Sequence, residues 1–191
     1  MRPESLPSAL RPALRLALVG LPGCGKSTIG RQLAKRFGVE FVDSDAEIEK
    51  RLGMTIRQYF EAHGEAAFRD VEQAMLDELC RRPGPFVLAT GGGIVLKPAN
   101  RELLRSHTCV VYLHASVSDL WRRLRHDTKR PLLQGGDALG RLKSLARERE
   151  PLYREVAEFV VETGRHGPAA SVNMIAMQVE LAGRHRALRS G

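Results

Sequence analysis

The chain has 191 residues, of which 43% are hydrophobic and 27% are charged, proportions that are ordinary for one globular domain with a sizeable core. No run of about 18 apolar residues occurs, which argues against a membrane-spanning helix. The formal net charge of +8 is compatible with nucleic acid, a membrane surface or a small anionic substrate as partner. The cysteines Cys24, Cys80 and Cys109 form no CxxC pair, so we expect no zinc site, no disulfide framework and a reducing, cytoplasmic location.

The order of apolar and periodic segments predicts an α/β fold. Residues 1–13 are rich in Pro and Ser and predict a flexible N-terminal extension. Apolar runs typical of strands follow at 14–19, 40–44, 86–90, 109–114 and 158–162. Helical periodicity lies between them at 27–37, 65–82, 117–126, 138–150 and 169–184. Such alternation predicts a three-layer αβα arrangement around a five-stranded parallel sheet, in a single domain spanning 14–191.

Two shorter features complete the predicted organisation. Thr55 followed by Gln58 is typical of a capping box that opens a further short helix. The segment DTKRPLLQGGD, residues 127–137, is polar, basic and glycine-bearing, and it separates two predicted helices. It is where a mobile lid would lie, although a plain connector would have the same composition.

The first motif with chemical content is GLPGCGKS, residues 20–27, which fits the phosphate-loop pattern G-x-x-x-x-G-K-S. It follows an apolar strand and opens a helix, so backbone amides and the helix N-terminus can hold an anion. We expect Lys26 to reach the terminal phosphates of a nucleotide and Ser27 to bind Mg²⁺.

Two carboxylates follow the second predicted strand in FVDSDAEIE, residues 41–49. On an extended segment Asp43 and Asp45 would point to the same side, at the sheet edge where α/β proteins bind ligands. They could then ligate Mg²⁺ or accept a proton from a hydroxyl nucleophile. The alternative is that one of them caps the next helix and the other is solvated.

Charged residues in two predicted helices have a simpler interpretation. Arg69 and Glu72 in FRDVE stand three residues apart, a spacing that by itself favours a surface ion pair. The sequence RERE, residues 147–150, is by itself typical of a solvated helix face.

Three consecutive glycines, Gly91, Gly92 and Gly93, follow the predicted strand at 86–90. Glycine weakens regular structure, so three in a row require a reason. Either the backbone adopts conformations closed to other residues, or another group comes very close to it.

In their order along the chain, these motifs resemble the shikimate kinases, small P-loop enzymes of aromatic amino-acid biosynthesis. The resemblance begins near residue 14, runs through nearly the whole chain, and includes RPLL (130–133) and REPLY (149–153). It implies ATP-dependent phosphorylation of the 3-hydroxyl of shikimate with Mg²⁺. It also implies a monomer that binds small molecules and neither nucleic acid nor membrane.

The resemblance also implies roles for individual residues. The implied catalytic residues are Lys26, Asp45 and Arg130. The implied ATP-binding residues are Gly23, Cys24, Gly25, Lys26, Ser27, Thr28, Arg123, Arg130, Arg165 and Pro168. The implied shikimate-binding residues are Asp45, Arg69, Glu72, Gly91, Gly92, Gly93 and Arg149. The implied metal-binding residues are Ser27 and Asp43. In this scheme Arg69 and Arg149 hold the substrate carboxylate and Glu72 steadies Arg69, while Asp45 either accepts the hydroxyl proton or only orients the hydroxyl.

Three other functions share parts of this pattern. A gluconate kinase would share the fold and the phosphate loop, but the glycine triplet and RPLL count against it. A nucleotide kinase would need a base pocket, and none is evident. A non-catalytic shikimate sensor would be joined to a DNA-binding module, for which residues 1–13 are too short.

Overall fold

The computed structural model describes residues 14–125, 137–164 and 167–189, with side chains described as far as residue 182. The predicted N-terminal extension and nearly all of the predicted lid therefore lie outside the described residues. The same holds for Arg130 and Arg165.

A five-stranded, wholly parallel sheet forms the centre of the fold, as predicted. Its strands are β1 (Arg15–Val19), β2 (Glu40–Asp43), β3 (Phe86–Ala89), β4 (Cys109–His114) and β5 (Phe159–Glu162), in the spatial order β2-β3-β1-β4-β5. The central strand β1 pairs on both sides, so that Leu16 lies opposite Val87 on one neighbour and Cys109 on the other. Strands in the middle of such a sheet are buried on both faces, which explains their unbroken apolar sequences.

Helices cover the sheet. They are α1 (Lys26–Phe37), α2 (Ser44–Leu52), α3 (Ile56–Arg81), α4 (Pro98–His107), α5 (Val117–Leu124), α6 (Ala138–Val156) and α7 (Pro168–Arg189). Helix α1 packs against α7, α3 packs against both α2 and α4, and α5 packs against α6. Helix α4 was not among the predicted segments, and α2 was foreseen only as the helix that one of the two aspartates would cap. None of the helices in the described part of the chain is both long enough and apolar enough to span a lipid bilayer.

The predicted capping box at Thr55 is confirmed. Thr55 Oγ1 accepts from the Gln58 backbone N–H at 3.2 Å, and the Gln58 side chain accepts from the Thr55 N–H at 2.9 Å. The helix that it opens meets the predicted 65–82 helix at Gly64, whose φ of 81° and ψ of 173° interrupt the helical backbone. Helix α3 therefore consists of two helical segments joined at a kink.

The prediction that Asp43 and Asp45 lie on one extended segment is wrong. Strand β2 ends at Asp43, and helix α2 begins at Ser44, so Asp45 belongs to the first turn of a helix. The fold nevertheless brings these carboxylates to the carboxyl edge of the sheet. Residues 20–25 after β1 and the triplet 91–93 after β3 lie at the same edge, because all the strands are parallel.

Candidate active site

The loop between β1 and α1 has the backbone of an anion-binding cradle. Gly20, Gly23 and Gly25 have φ values of 148°, 83° and 100°, which side chains other than glycine rarely adopt. Helix α1 then begins at Lys26 with no acidic residue in its own first turn, so its positive N-terminal end favours an anion. Lys26 Nζ donates to the carbonyls of Gly20 at 2.8 Å and Leu21 at 3.1 Å, and therefore lies within the loop.

The remaining residues of this loop differ in their exposure. Cys24 is buried, and its sulfur lies 3.8 Å from Lys26 Nζ. Thr28 is exposed in the first turn of α1. Gly23 is required for a second reason besides its φ, since a Cβ there would lie 2.8 Å from Leu124 Cγ.

Ser27 and Asp43 form a pair of oxygen donors beside the cradle. Ser27 Oγ donates to Asp43 Oδ2 at 2.8 Å. Asp43 Oδ1 accepts from the backbone N–H groups of Asp45 at 3.2 Å and Ala46 at 3.4 Å, so Asp43 also caps α2. In the described ranges no cluster of three or more His, Cys, Asp or Glu side chains is arranged to hold a metal. One hydroxyl and one carboxylate fit Mg²⁺, which usually keeps several waters and binds substrate phosphates.

Asp45 lies partly buried between the cradle and the glycine triplet. A Cβ on Gly91 would lie 2.6 Å from Asp45 Oδ1 and 3.1 Å from Glu72 Oε1. Burial and the negative charge of Asp43 raise the pKa of Asp45 to about 6, against the opposing charge of Lys26. Its carboxylate therefore exchanges a proton close to neutral pH, as a general base needs to do.

Arg69 and Glu72 form a buried ion pair, so the interpretation as a surface pair is wrong. The side chain of Glu72 is 1% exposed and that of Arg69 is 14% exposed, with Nη1 of the arginine 2.7 Å from Oε2 of the glutamate. Glu65 accepts from the other side of the guanidinium at 3.0 Å. The rings of Phe60 and Phe68 lie 5.7 and 5.2 Å from the guanidinium carbon.

Arg149 on α6 is buried, with the charge of Glu72 and the side chain of Tyr153 close to its guanidinium. Its side chain is 7% exposed, and Nε has no hydrogen-bond partner among the described residues. The carboxylate of Glu148 lies 3.7 Å away, too far for a hydrogen bond. The interpretation of 147–150 as a solvated face holds for Arg147 and Glu148, which are exposed, and is wrong for Arg149. A buried cation with an unused donor favours an anionic ligand.

The glycine triplet is explained by close approach. None of its three residues has a positive φ, so the alternative of an unusual backbone conformation is wrong. A Cβ on Gly92 would lie 3.1 Å from Pro22 Cδ and 3.7 Å from Arg149 Nη1, and a Cβ on Gly93 would overlap the guanidinium of Arg69. The triplet therefore lets the Arg69 guanidinium and the Asp45 carboxylate approach one stretch of backbone, while Arg149 lies beside the same stretch at ordinary contact distance.

Arg123 contacts the phosphate loop, whereas the structure gives Pro168 only a position at the start of a helix. Arg123 donates to the carbonyl of Gly23 at 3.3 Å and to that of Thr163 at 2.6 Å, linking α5 to the loop and to the end of β5. Pro168 is the first residue of α7. Both positions are compatible with contact to a nucleotide base.

Two residues at this site were assigned no role from the sequence. The Tyr153 hydroxyl donates to the Gly92 carbonyl at 2.5 Å, and Ser44 Oγ accepts from the Gly91 N–H at 3.1 Å. The motif REPLY carried a signal for Tyr153, because residues 149 and 153 are four apart and share one helix face. Ser44 offered no comparable signal.

Comparison with known proteins gives a consistent result. A model of the family described as "Shikimate kinase" matches residues 22–180. Shikimate kinases from Paracidovorax citrulli and Cupriavidus pinatubonensis are each 55% identical to this chain, covering 90% and 88% of it and 95% and 87% of their own lengths. The structure of a shikimate kinase from Acinetobacter baumannii in complex with shikimate has a TM-score of 0.84 at 42% identity, covering 90% of this chain and 95% of that one. The chain belongs to the shikimate kinase family.

Proposed function

We propose that this protein transfers the γ-phosphoryl group of ATP to the 3-hydroxyl of shikimate, giving shikimate 3-phosphate and ADP. The observation that carries the proposal is a pair of guanidinium groups, partly buried on Arg69 and buried on Arg149, which lie beside adjacent glycines at the edge that also bears the phosphate loop. A substrate with a carboxylate and neighbouring hydroxyls suits this arrangement, since arginine forms two parallel hydrogen bonds with a carboxylate. The likeness to a solved complex with shikimate supports the same substrate.

On the nucleotide side, we assign phosphate binding to the amides of residues 23–28 and to Lys26. Among the described residues, Lys26 Nζ contacts two carbonyls and the Cys24 sulfur of its own loop, and phosphate oxygens would replace these as partners. Ser27 and Asp43 would hold Mg²⁺, which neutralises phosphate charge when bound. Arg123 and Pro168 would flank the adenine. The roles of Arg130 and Arg165 rest on the sequence resemblance alone.

On the acceptor side, we assign to Asp45 the binding and deprotonation of the substrate hydroxyl that attacks the phosphorus. Its carboxylate is the strongest candidate for a proton acceptor, because its pKa of about 6 leaves it ionised but basic at neutral pH. Arg69, held by Glu72, and Arg149 would bind the carboxylate of shikimate, and the backbone of the glycine triplet would lie against its ring. Such an enzyme gains most of its rate from positioning and charge stabilisation.

We further propose that the protein acts as a monomer in the cytoplasm, in one domain that spans 14–191. The three free cysteines are compatible with a reducing compartment. Sedimentation of the purified protein with and without ATP and shikimate tests the monomer directly.

The substrate is tested by measuring ADP release with a panel of acceptors: shikimate, gluconate and nucleoside monophosphates. We expect release with shikimate alone, and phosphorus NMR of the product should place the phosphate on the 3-hydroxyl. ADP release with gluconate or a nucleotide but not with shikimate would refute the proposal.

A variant pair tests the nucleotide assignment in the same assay. Lys26→Met removes the charge that serves the phosphates while keeping an unbranched side chain, so turnover should be lost and the melting temperature kept. Lys35→Met removes an exposed lysine from the same helix and should leave turnover unchanged. Comparable activity in both variants would contradict the phosphate-loop assignment.

A further inference from the structure

We propose that Tyr153 is a positioning residue of the shikimate site, one that fixes the peptide between Gly92 and Gly93 so that the Gly93 N–H faces the substrate. The inference rests on the proposed function, because it presumes that an oxygen atom of shikimate accepts a hydrogen bond from this N–H. Tyr153 itself need not contact the substrate, since it acts through the backbone that it holds.

The hydroxyl of Tyr153 is held firmly in place. The residue is fully buried on α6, and its ring stacks on that of Tyr112 of β4, with the ring centres 5.1 Å apart. The hydroxyl donates to the Gly92 carbonyl at 2.5 Å. Since packing fixes the ring, the position of its oxygen is set by the sheet and by α6.

This hydrogen bond determines the direction of the next backbone donor. The described residues contain no cis peptide bond, so the Gly92 carbonyl and the Gly93 N–H point in opposite directions from one plane. With the carbonyl drawn to Tyr153, the N–H points away from α6. Gly93 is buried, yet its N–H has no acceptor among the residues that the structure describes. Because buried backbone donors are rarely left unpaired, a ligand atom is the expected acceptor.

The glycine triplet needs such a clamp more than other loops do. Glycine has the greatest backbone freedom of any residue, and the triplet has no side chains with which to anchor itself. The carbonyls that follow are also held by side chains: Asn100 donates to Ile94 at 2.9 Å, and Arg101 donates to Val95 at 2.8 Å. Gly92 is held from α6 instead.

The same face of α6 holds the substrate arginine. Arg149 precedes Tyr153 by one helical turn, and both side chains are buried. Burial raises the pKa of Tyr153, while the charge of Arg149 and a hydrogen-bonding contact with its side chain oppose this rise without cancelling it. Tyr153 therefore remains a neutral donor, and α6 sets the cation and the backbone donor in one rigid relationship.

The test replaces Tyr153 by Phe, which keeps the stacked ring and removes the hydroxyl. We expect KM for shikimate to rise about tenfold, the effect of one lost hydrogen bond with its orientation, and KM for ATP to stay within about twofold. A general loss of structure would alter both constants. Tyr112→Phe is the control, because it removes the hydroxyl of the ring that stacks on Tyr153. That hydroxyl has no hydrogen bond to a described residue, so KM for shikimate and KM for ATP should both stay unchanged.

Labelling with ¹⁵N-glycine gives a second measurement, of which the wild-type part does not depend on the folding of a variant. The Gly93 amide resonance should move on addition of shikimate, and in Tyr153→Phe it should start from a different position and move less. An unmoved Gly93 resonance, or equal shikimate constants for wild type and Tyr153→Phe, would overturn the inference alone. Absence of shikimate turnover in the wild type would overturn the proposed function, and the inference with it.

Discussion

Ser27 Oγ donates to Asp43 Oδ2 at 2.8 Å, and this contact joins the first turn of α1 to the end of β2. The other oxygen of Asp43 caps α2 through the N–H groups of Asp45 and Ala46. One carboxylate thus orients the hydroxyl of the phosphate loop and also starts the helix that carries Asp45. The two predicted alternatives for Asp43, a helix cap or a group of the ligand site, are therefore compatible.

Asp43→Asn separates these two contributions. Asparagine caps helices about as well as aspartate, so the free energy of unfolding should change by less than about 0.5 kcal/mol. The lost charge should weaken Mg²⁺ binding, and the Mg²⁺ concentration for half-maximal ADP release should therefore rise about tenfold or more. Asp43→Ala should show the same Mg²⁺ effect together with about 1 kcal/mol of lost stability. An unchanged Mg²⁺ requirement in Asp43→Asn would remove Asp43 from the metal site.

Arg149→Lys tests the proposed carboxylate contact. Lysine keeps the charge but cannot form the paired hydrogen bonds of a guanidinium, so KM for shikimate should rise about ten- to a hundredfold. KM for ATP should change little. Arg147→Lys makes the same exchange on the exposed part of α6 and should have no effect. If both Michaelis constants rise equally in Arg149→Lys, the arginine has a structural or nucleotide role.

The sheet and the phosphate loop could be predicted because their signals are local. Short, mainly apolar runs identified all five strands, and GLPGCGKS specifies its own turn through glycines with positive φ. Helices α2 and α4 gave weaker signals. The sequence of α4, PANRELLRSH, contains only one adjacent pair of leucines, so its buried stripe is too short to show helical periodicity.

Which of the charged residues are buried could not be predicted in the same way. Spacing showed that Arg69 and Glu72 share a helix face, but it cannot show that the glycine triplet, distant in sequence, covers that face. Arg149 stands in a run that is hydrophilic throughout, so only the tertiary structure distinguishes it from Arg147. The triplet itself raised the right question, while the groups that approach it come from α2, α3 and α6.

Asp45→Asn should change both activity and the pH dependence of stability. Loss of the base should reduce kcat by at least about 10²-fold, and wild-type kcat/KM should fall below about pH 6, where Asp45 becomes protonated. The folded-state pKa of Asp45, about 6, lies above its ordinary 3.8, so its contribution to stability is full below pH 3.8 and is lost as the pH rises through 6. At pH 8 Asp45→Asn should therefore be more stable than wild type by up to roughly 2 kcal/mol.

Thermal unfolding between pH 4 and pH 8 checks the stability part of this prediction. The advantage of Asp45→Asn over wild type should shrink as the pH falls and disappear near pH 4. A constant difference across that range would mean that the Asp45 carboxylate is not perturbed by burial. A small loss of kcat with ordinary shikimate binding would leave Asp45 as a dispensable contact.

Gly93→Ala tests whether the triplet serves the arginine rather than the backbone. The new methyl group would overlap the guanidinium of Arg69, which is the far end of a flexible side chain and can move aside. Because the φ of Gly93 is not positive, alanine adds no backbone strain, so the fold should survive with at most about 1 kcal/mol lost. The displaced Arg69 should no longer meet the substrate, and KM for shikimate should rise at least about tenfold. Steady-state kinetics with both substrates and thermal unfolding give the two readouts.

Gly53→Ala is the matched control for this prediction, because at Gly53 a side chain would strain the backbone but would overlap no neighbouring atom. Gly53 ends α2 with a φ of 67°, and a Cβ there would meet nothing within 4 Å. Alanine should therefore cost about 1 kcal/mol through backbone strain alone and leave both Michaelis constants unchanged. Each variant should thus affect mainly one property: Gly53→Ala should lose stability, and Gly93→Ala should lose affinity for shikimate. Normal shikimate kinetics in Gly93→Ala would mean that Arg69 does not need the space that the third glycine leaves.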